Sequence, residues 1–400
     1  MKWNPTCVLF FLLLAATLLQ CHSPEGYSSN KPPNVVIIMA DDQGWGDLSF
    51  NENPIVSTPN IDSLARNGAI FDHFYVEAVY SPTRASLLTG RYAVRAGVYS
   101  TSEGGERIDL DERTFAEVFQ ESGYKTAIFG KWHNGSQAPY HPTSRGFTEF
   151  YGYCSGHWGS YFDAELEHNG ELVSSEGYLT DVLTDRALGF IRKNQEHPFL
   201  LYLPLNTPHS PMQVPDRWFQ KFDTLEVPSH RHTPRENPEH TRAALAMAEN
   251  IDWNVGRVTR LLDSLDLADQ TLVIYTSDNG PNGWRWNGGM AGIKGHVDEG
   301  GVRVPLLMYW PNKIQAGNRI SQICSVMDLY PTLISLAGLK DALPPKLDGM
   351  DVSPWVSTDS STLDTQRHIV SYWKGKISVR SDQYRLDNEN HLFDMGKDPA

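Results

Sequence analysis

Cysteine is scarce: four in 400 residues, at 7, 21, 154 and 324, too few and too scattered for a disulfide-built scaffold. No Cys/His group has zinc-finger spacing, so a zinc-finger module is excluded and zinc is not expected. Apolar runs are short as well. Val8 to Leu19 falls well below the ~20 residues that cross a bilayer, and no other stretch is long enough for a membrane helix. Positive charge is in deficit, with 34 Lys and Arg against 48 Asp and Glu and a net charge of −14. That balance argues against a nucleic-acid partner, which needs a basic face. Internal repeats and low-complexity segments are also missing.

What is present is ordinary globular composition, with 40% hydrophobic and 20% charged residues, enough for a sizeable core. Eleven Trp and seventeen Tyr suit a pocket lined with rings. Lys2 followed by Val8–Leu19 reads as an export signal over residues 1–21. Leu18-Leu19-Gln20-Cys21 loosely resembles a bacterial lipobox, so the exported protein is expected in the periplasm or as an outer-membrane lipoprotein anchored at Cys21. Residues 22–33 are polar and Pro-containing, a tether. Cys154 and Cys324 then remain as either a disulfide or two buried thiols.

Asn34–Ala40 is a continuous apolar run rich in β-branched residues, the pattern of a strand buried on both faces. Further strands are expected at Lys125–Phe129, Phe199–Leu203, Thr271–Tyr275, Val304–Trp310 and Lys376–Arg380. Helices are expected at Thr58–Asn67, Glu112–Ser122, Tyr178–Lys193 and from about His240 to Leu265, the first two with capping signals. Strands alternating with helices predict an α/β fold, a largely parallel sheet sandwiched by helices. The expected domain is 34–343, followed from the break at Pro344-Pro345 by a smaller C-terminal region, 344–400.

Two strand ends carry acidic turns: Asp41-Asp42-Gln43-Gly44 and Ser277-Asp278-Asn279-Gly280. Singly each reads as a turn. Ligands in open α/β sheets bind at the carboxyl ends of strands, and together these turns offer three carboxylates and an amide. That is an all-oxygen set for a hard divalent cation, calcium first and magnesium second. Between them lies Tyr80-Ser81-Pro82-Thr83-Arg84, leading to Leu88-Thr89-Gly90-Arg91. It reads as a short helix with Ser81 as N-cap, Pro82 at the first position and Gly90 past the end, its N-terminus suited to an anion. Gly130-Lys131-Trp132-His133, Asn206-Thr207-Pro208-His209 and Gly292-Ile293-Lys294-Gly295 add cations and imidazoles in loops. Trp284-Arg285-Trp286-Asn287 reads either as core and rim or as a substrate entrance holding a second anionic group.

These motifs, in this order, resemble the formylglycine-dependent sulfatases of the alkaline phosphatase superfamily, over nearly the whole chain from Asn34. The resemblance implies that Asp41, Asp42, Asp278 and Asn279 hold calcium. It also implies that Lys131 and Lys294 bind sulfate, Lys294 helping to protonate the leaving group, that His133 orients and deprotonates the aldehyde hydrate, and that His209 contacts the sulfate and the leaving oxygen; Arg84 adds a fixed cation. The family's Cys or Ser, oxidised to that aldehyde, is here Tyr80, which cannot be converted to formylglycine. Asn134 replaces the usual Leu after the His. The run His391–Ala400 is similar to one that in the family precedes further residues, so region 344–400 is expected to be truncated. Three readings share these residues. One is an exported sulfatase with sulfated small molecules or glycans as substrates; another is a pseudosulfatase that binds such groups without hydrolysis. The third is a phosphate-ester hydrolase that attacks with Tyr80.

Overall fold

The buried apolar runs become a ten-stranded sheet whose four central strands all point the same way. A computed structural model describes residues 31–230, 233–357 and 366–398; the leader, Cys21 and most of the tether lie outside the described residues. In chain order the strands are β1 (Asn34–Ala40), β2 (Ala69–Phe71), β3 (Phe74–Tyr75), β4 (Lys125–Lys131), β5 (Glu149–Tyr153), β6 (Glu165–His168), β7 (Glu171–Ser174) and β8 (Phe199–Pro204). They continue with β9 (Thr271–Ser277), β10 (Leu306–Tyr309), β11 (Asn318–Ile320), β12 (Cys324–Ser325), β13 (Ile369–Trp373), β14 (Lys376–Arg380), β15 (Tyr384–Asp387) and β16 (Leu392–Asp394). The large sheet has the order β11-β2-β10-β9-β1-β8-β4-β5-β6-β7. Pairing is parallel from β9 through β1, β8 and β4 to β5, as expected from the alternation. The edges depart from it: β10 runs antiparallel to both neighbours, and β6 and β7 form a hairpin.

Alternation along β1 assigns the two faces. Val35, Ile37 and Met39 pack with α2 (Tyr80–Thr89), α3 (Phe115–Glu121) and α6 (Leu329–Leu336). Val36, Ile38 and Ala40 pack with α1 (Pro59–Asn67), α4 (Leu179–Lys193) and α5 (Pro238–Ser264). Beyond these layers β13 to β16 form a separate antiparallel sheet. Cys154 and Cys324 are free thiols, so the disulfide alternative falls. No helix among the described residues is long and apolar enough to cross a membrane.

Two expected helix starts shift. α3 begins only after Thr114, whose side chain accepts from Glu117 N–H while Glu117 bonds back to Thr114 N–H, and this capping box fixes the start. α2 begins at Tyr80, with Val79 as N-cap and no side-chain cap. Pro82 therefore lies inside the first turn, where its missing N–H removes no intrahelical bond. Ser81 is buried and accepts from Asn134 Nδ2 at 3.3 Å instead of capping. Gly90 ends the helix as expected, left-handed at φ +67° and donating to Ser86 O at 2.9 Å.

Glu77 lies beneath α2, buried. Its carboxyl accepts from Ser86 Oγ at 3.2 Å, and its pKa is pushed by burial from 4.5 up to about 7. With the folded value above the unfolded one, this group stabilises fully below about 4.5, and the contribution is lost as pH rises through about 7. E77Q should therefore gain on the wild type between about pH 5 and pH 8 by on the order of 2–3 kcal/mol. Thermal melts at both pH values measure that difference. Parallel pH dependence in the two proteins would contradict it.

Candidate active site

Because β9, β1, β8 and β4 are parallel neighbours, their carboxyl ends open on one side of the sheet. β1 delivers Asp41 and Asp42, β9 delivers Asp278 and Asn279, β4 ends at Lys131 with His133 beyond, and the loop after β8 carries His209. All ten expected site residues converge there. Asp42 N–H donates to Asp278 Oδ1 at 3.1 Å, and Asn279 Nδ2 donates to Asp42 Oδ1 at 2.7 Å. Asp42 holds this turn at φ +68°, a left-handed conformation that Asp tolerates better than most residues.

Each buried carboxylate has a cation. Arg84 reaches Asp278 Oδ2 at 2.6 Å and also donates to Lys131 O at 2.8 Å. Lys131 Nζ is 2.7 Å from Asp41 Oδ2, and Lys294 Nζ is 2.7 Å from Asp42 Oδ1. Burial opposes ionisation of Asp41, yet Lys131, with His209, Arg84 and Lys294, holds it well below the usual carboxylate range. Burial, seconded by the Asp41 charge, pushes Asp278 up. Lys131 is lowered by burial against the pull of Asp41, whereas Lys294 is raised because Asp42 and Asp41 outweigh its burial.

The donor set fits a hard cation. Asn279 spends its amide N–H groups on Asp42 Oδ1 and on Gly280 O at 2.9 Å, which leaves Asn279 Oδ1 bare. Asn279 Oδ1 and Asp41 Oδ1 are buried oxygens with no hydrogen-bond partner, the condition that a coordinated ion relieves. Asp41, Asp42 and His209 also bring ligand atoms within 4.8 Å of one another.

Tyr80 occupies the middle of this ring of charges. Lys131 Nζ and Lys294 Nζ each lie 4.1 Å from its ring centroid, and the rings of His133 and His209 lie 4.6 and 5.9 Å away. Two ammonium groups over one ring form cation–π contacts worth about 0.5–2 kcal/mol each. Burial raises the Tyr80 phenol, and Asp41 and Asp42 add to the rise against Lys294, so the hydroxyl stays protonated near neutral pH.

The two imidazoles are held in defined forms. His133 Nε2 is 2.9 Å from Thr101 O, which requires Nε2–H and leaves Nδ1 as a buried lone pair without a partner. Burial, with the Lys131 charge, lowers its pKa well below the ordinary value, so His133 is neutral and fit to accept a proton. His209 Nδ1 donates to Ser210 O at 2.6 Å, leaving Nε2 3.6 Å from Asp42 Oδ2.

Arg285 departs from the substrate-entrance reading. It is 2% exposed and bidentate to Asp47, Nε at 2.7 Å from Oδ1 and Nη2 at 2.6 Å from Oδ2. Its Nη2 also donates to Asp42 O at 3.3 Å, so it stiffens the loop from Asp41 to Asp47. Asn287 assists by accepting from Gly46 N–H at 2.7 Å. R285K should keep the charge, lose the two-pronged geometry and cost about 1–3 kcal/mol in denaturant unfolding. A variant as stable as the wild type would return Arg285 to the substrate-entrance reading.

Asn134 also gains a purpose that its sequence position does not show. Its Nδ2 donates to Ser81 O at 3.2 Å and to Glu106 O at 3.0 Å, tying the start of α2 to the loop that carries Thr101. The C-terminal sheet braces the Lys294 loop. Arg380 Nε donates to Tyr75 OH at 2.9 Å, Tyr75 OH donates to Glu299 at 3.1 Å, and Arg385 pairs with Asp298 at 3.0 Å. Thr101, Asp47 and Glu299 lie in no local motif, and only their long-range partners reveal them.

Comparison with known proteins shows the family and the fold. The profile of the family described as Sulfatase matches residues 33–339, and that described as N-sulphoglucosamine sulphohydrolase, C-terminal, matches residues 293–400. The chain is 34% identical over 382 residues to N-acetylgalactosamine-6-sulfatase of Canis lupus familiaris, covering 86% of this chain and 69% of that protein. It is 34% identical over 398 residues to arylsulfatase G of Rattus norvegicus, covering 85% and 72%. Among solved structures, Ps i-CgsB in complex with k-i-k-neocarrahexaose superposes with TM-score 0.81 at 31% identity, over 92% of this chain and 88% of that one. BT4656 with D-glucosamine-2-N,6-O-disulfate shares the fold at TM-score 0.78 and 22% identity, over 92% and 91%.

Proposed function

Since this chain belongs to the sulfatase family, we propose that it carries the calcium-dependent site of a sulfated-glycan sulfatase in which residue 80 decides whether sulfate ester is admitted and hydrolysed. The observation that carries this reading is the position of Tyr80. It sits between Lys131 and Lys294, above two strand ends that present three carboxylates and the bare Asn279 oxygen. Members of the family generally use a divalent metal. Calcium, held by Asp41, Asp42, Asp278 and Asn279, would supply positive charge to the nonbridging oxygens of a sulfate ester.

The chain's own residues do the rest. Three carboxylates face Arg84, Lys131 and Lys294, so the ligand set is balanced without an ion and becomes net cationic with one. With a small side chain at position 80, Lys131 and Lys294 would pair with the ester anion in the space that the Tyr80 ring takes. His209 Nε2, its ring fixed through Nδ1, is the proton donor to the leaving oxygen, and neutral His133 accepts through Nδ1. Tyr80 is the silent member: its phenol is protonated and its ring fills the space between the two ammonium groups. Glycan esters are the favoured ligands because a relative acts on N-acetylgalactosamine-6-sulfate by its name, and a neighbour at 31% identity holds a neocarrahexaose. The reading includes export: Lys2 and Val8–Leu19 support a leader over residues 1–21, with periplasmic release or an anchor at Cys21.

Calcium at about a thousand times its Kd should stabilise the fold by about 4 kcal/mol, and magnesium by less. The measurement is a melting curve with EDTA, calcium or magnesium, on the wild type and on N279A. Loss of the calcium shift in N279A is the expected result. An unchanged shift would put the ion elsewhere.

A further inference from the structure

We propose that His141, Cys154 and Glu167 form a second cation site, selective for a thiophilic divalent ion of the zinc class and separate from the oxygen site of Asp41 and Asp278. The three come from different segments: the turn before Pro142, the residue after β5, and β6. Their ligand atoms nonetheless lie within 4.8 Å of one another. Zinc holds sulfur at ~2.3 Å and nitrogen at ~2.0 Å, so its ligands stand about 3–4 Å apart and small side-chain rotations would close the set around an ion.

The support expected around such a histidine is in place. His141 Nε2 is 2.6 Å from Glu167 Oε1, while Nδ1 is 2.7 Å from Thr143 Oγ1. Thr143 meets Nδ1 twice: without an ion its backbone N–H donates to Nδ1 at 3.3 Å while Nε2–H faces Glu167, and with an ion on Nε2 the ring proton sits on Nδ1 and is accepted by Thr143 Oγ1. Phe150 holds the ring edge-on at 5.2 Å. His141 and Glu167 keep 10% and 21% of their side chains exposed, which gives an ion a way in and leaves room for a fourth ligand from water. A mixed S, N and O set prefers zinc-class ions, as the all-oxygen set prefers calcium. Cys154 would bind as thiolate, its proton passing to solvent.

The site has a consequence for the cleft. Cys154 begins the segment that sets the His157 ring 5.5 Å from His209, and that brings Gly156 so near His133 that an added Cβ would lie 2.1 Å from the ring. An ion at Cys154 braces that wall at its root.

The test is a cobalt(II) titration of the full chain in excess calcium, with a phosphine reductant, read by absorption. The expected result is one equivalent bound with a thiolate-to-cobalt charge-transfer band and four-coordinate d–d bands, displaced by zinc and not by calcium. C154S should abolish the charge-transfer band, and H141A should weaken binding on the order of a hundredfold. No such band in the wild type, or its survival in C154S, would overturn the proposal. Alkylation of Cys154 in the wild type, followed by mass spectrometry, gives an answer that needs no variant. Zinc should slow it, and unchanged labelling overturns the site.

Discussion

Y80C, coexpressed with a formylglycine-generating enzyme, should hydrolyse a simple aryl sulfate on the order of 10⁴-fold faster than the Tyr80 protein, or more. Loss of a catalytic nucleophile costs about 10⁴ to 10⁶ in rate where the rest of a site stays assembled. Here the rest is assembled: Arg84, Lys131, Lys294, His133 and His209 surround residue 80, and the oxygen set lies beneath them. Replacing the ring by a small side chain also frees Lys131 and Lys294 from their contacts with it and opens their space to the sulfate. Tyr80 cannot substitute chemically. Its phenol is protonated, and a sulfated phenol has no second hydroxyl through which to collapse and expel sulfate. Y80F separates the readings, because it removes the hydroxyl and keeps the ring. If the Tyr80 protein cleaves sulfate or phosphate esters and Y80F does not, the phenol is the nucleophile and the silent-site reading fails. If Y80C is matured and still inactive while binding calcium, the defect lies beyond residue 80.

The second large effect is on stability. R84M should destabilise the protein by about 3–5 kcal/mol in EDTA, since it strands the Asp278 carboxylate in a fully buried position. The Lys131 carbonyl loses its donor in the same step. Calcium should return part of that loss, because an ion held by Asp278 supplies the missing positive charge. Unfolding of wild type and R84M, each with calcium and with EDTA, completes the comparison. A penalty equal in both conditions would show that the ion does not touch Asp278.

The two acidic turns are legible because each is a short contiguous motif after an unmistakable buried strand. Asp41-Asp42 follows Asn34–Ala40, and Asp278-Asn279 follows Thr271–Ser277. Lys131, His133, His209 and Lys294 were legible from motifs in order, with no single motif sufficient by itself. Arg285 shows where this kind of reading ends. A Trp-Arg-Trp run has the same composition whether it lines a cleft or closes a core, and only Asp47, 238 positions away, settles which. The helix α2 starts before the expected Ser81 cap for a related reason. Ser81 and Pro82 have the local preferences of a helix entry, but the buried amide of Asn134 takes up the Ser81 hydroxyl, and tertiary contact overrides propensity.

The α/β alternation, the carboxylates and amide at the two strand ends, and the cations near them can all be read from the chain alone. These are properties of strand period, residue chemistry and short spacing, all of which act locally along the chain. Only the folded chain makes β9, β1, β8 and β4 adjacent and parallel, pairs each carboxylate with its cation, and sets two lysines against the Tyr80 ring. It also brings His141, Cys154 and Glu167 within reach of one another. Such pairings join residues tens to hundreds of positions apart, and they depend on strand order and packing, which no local pattern encodes.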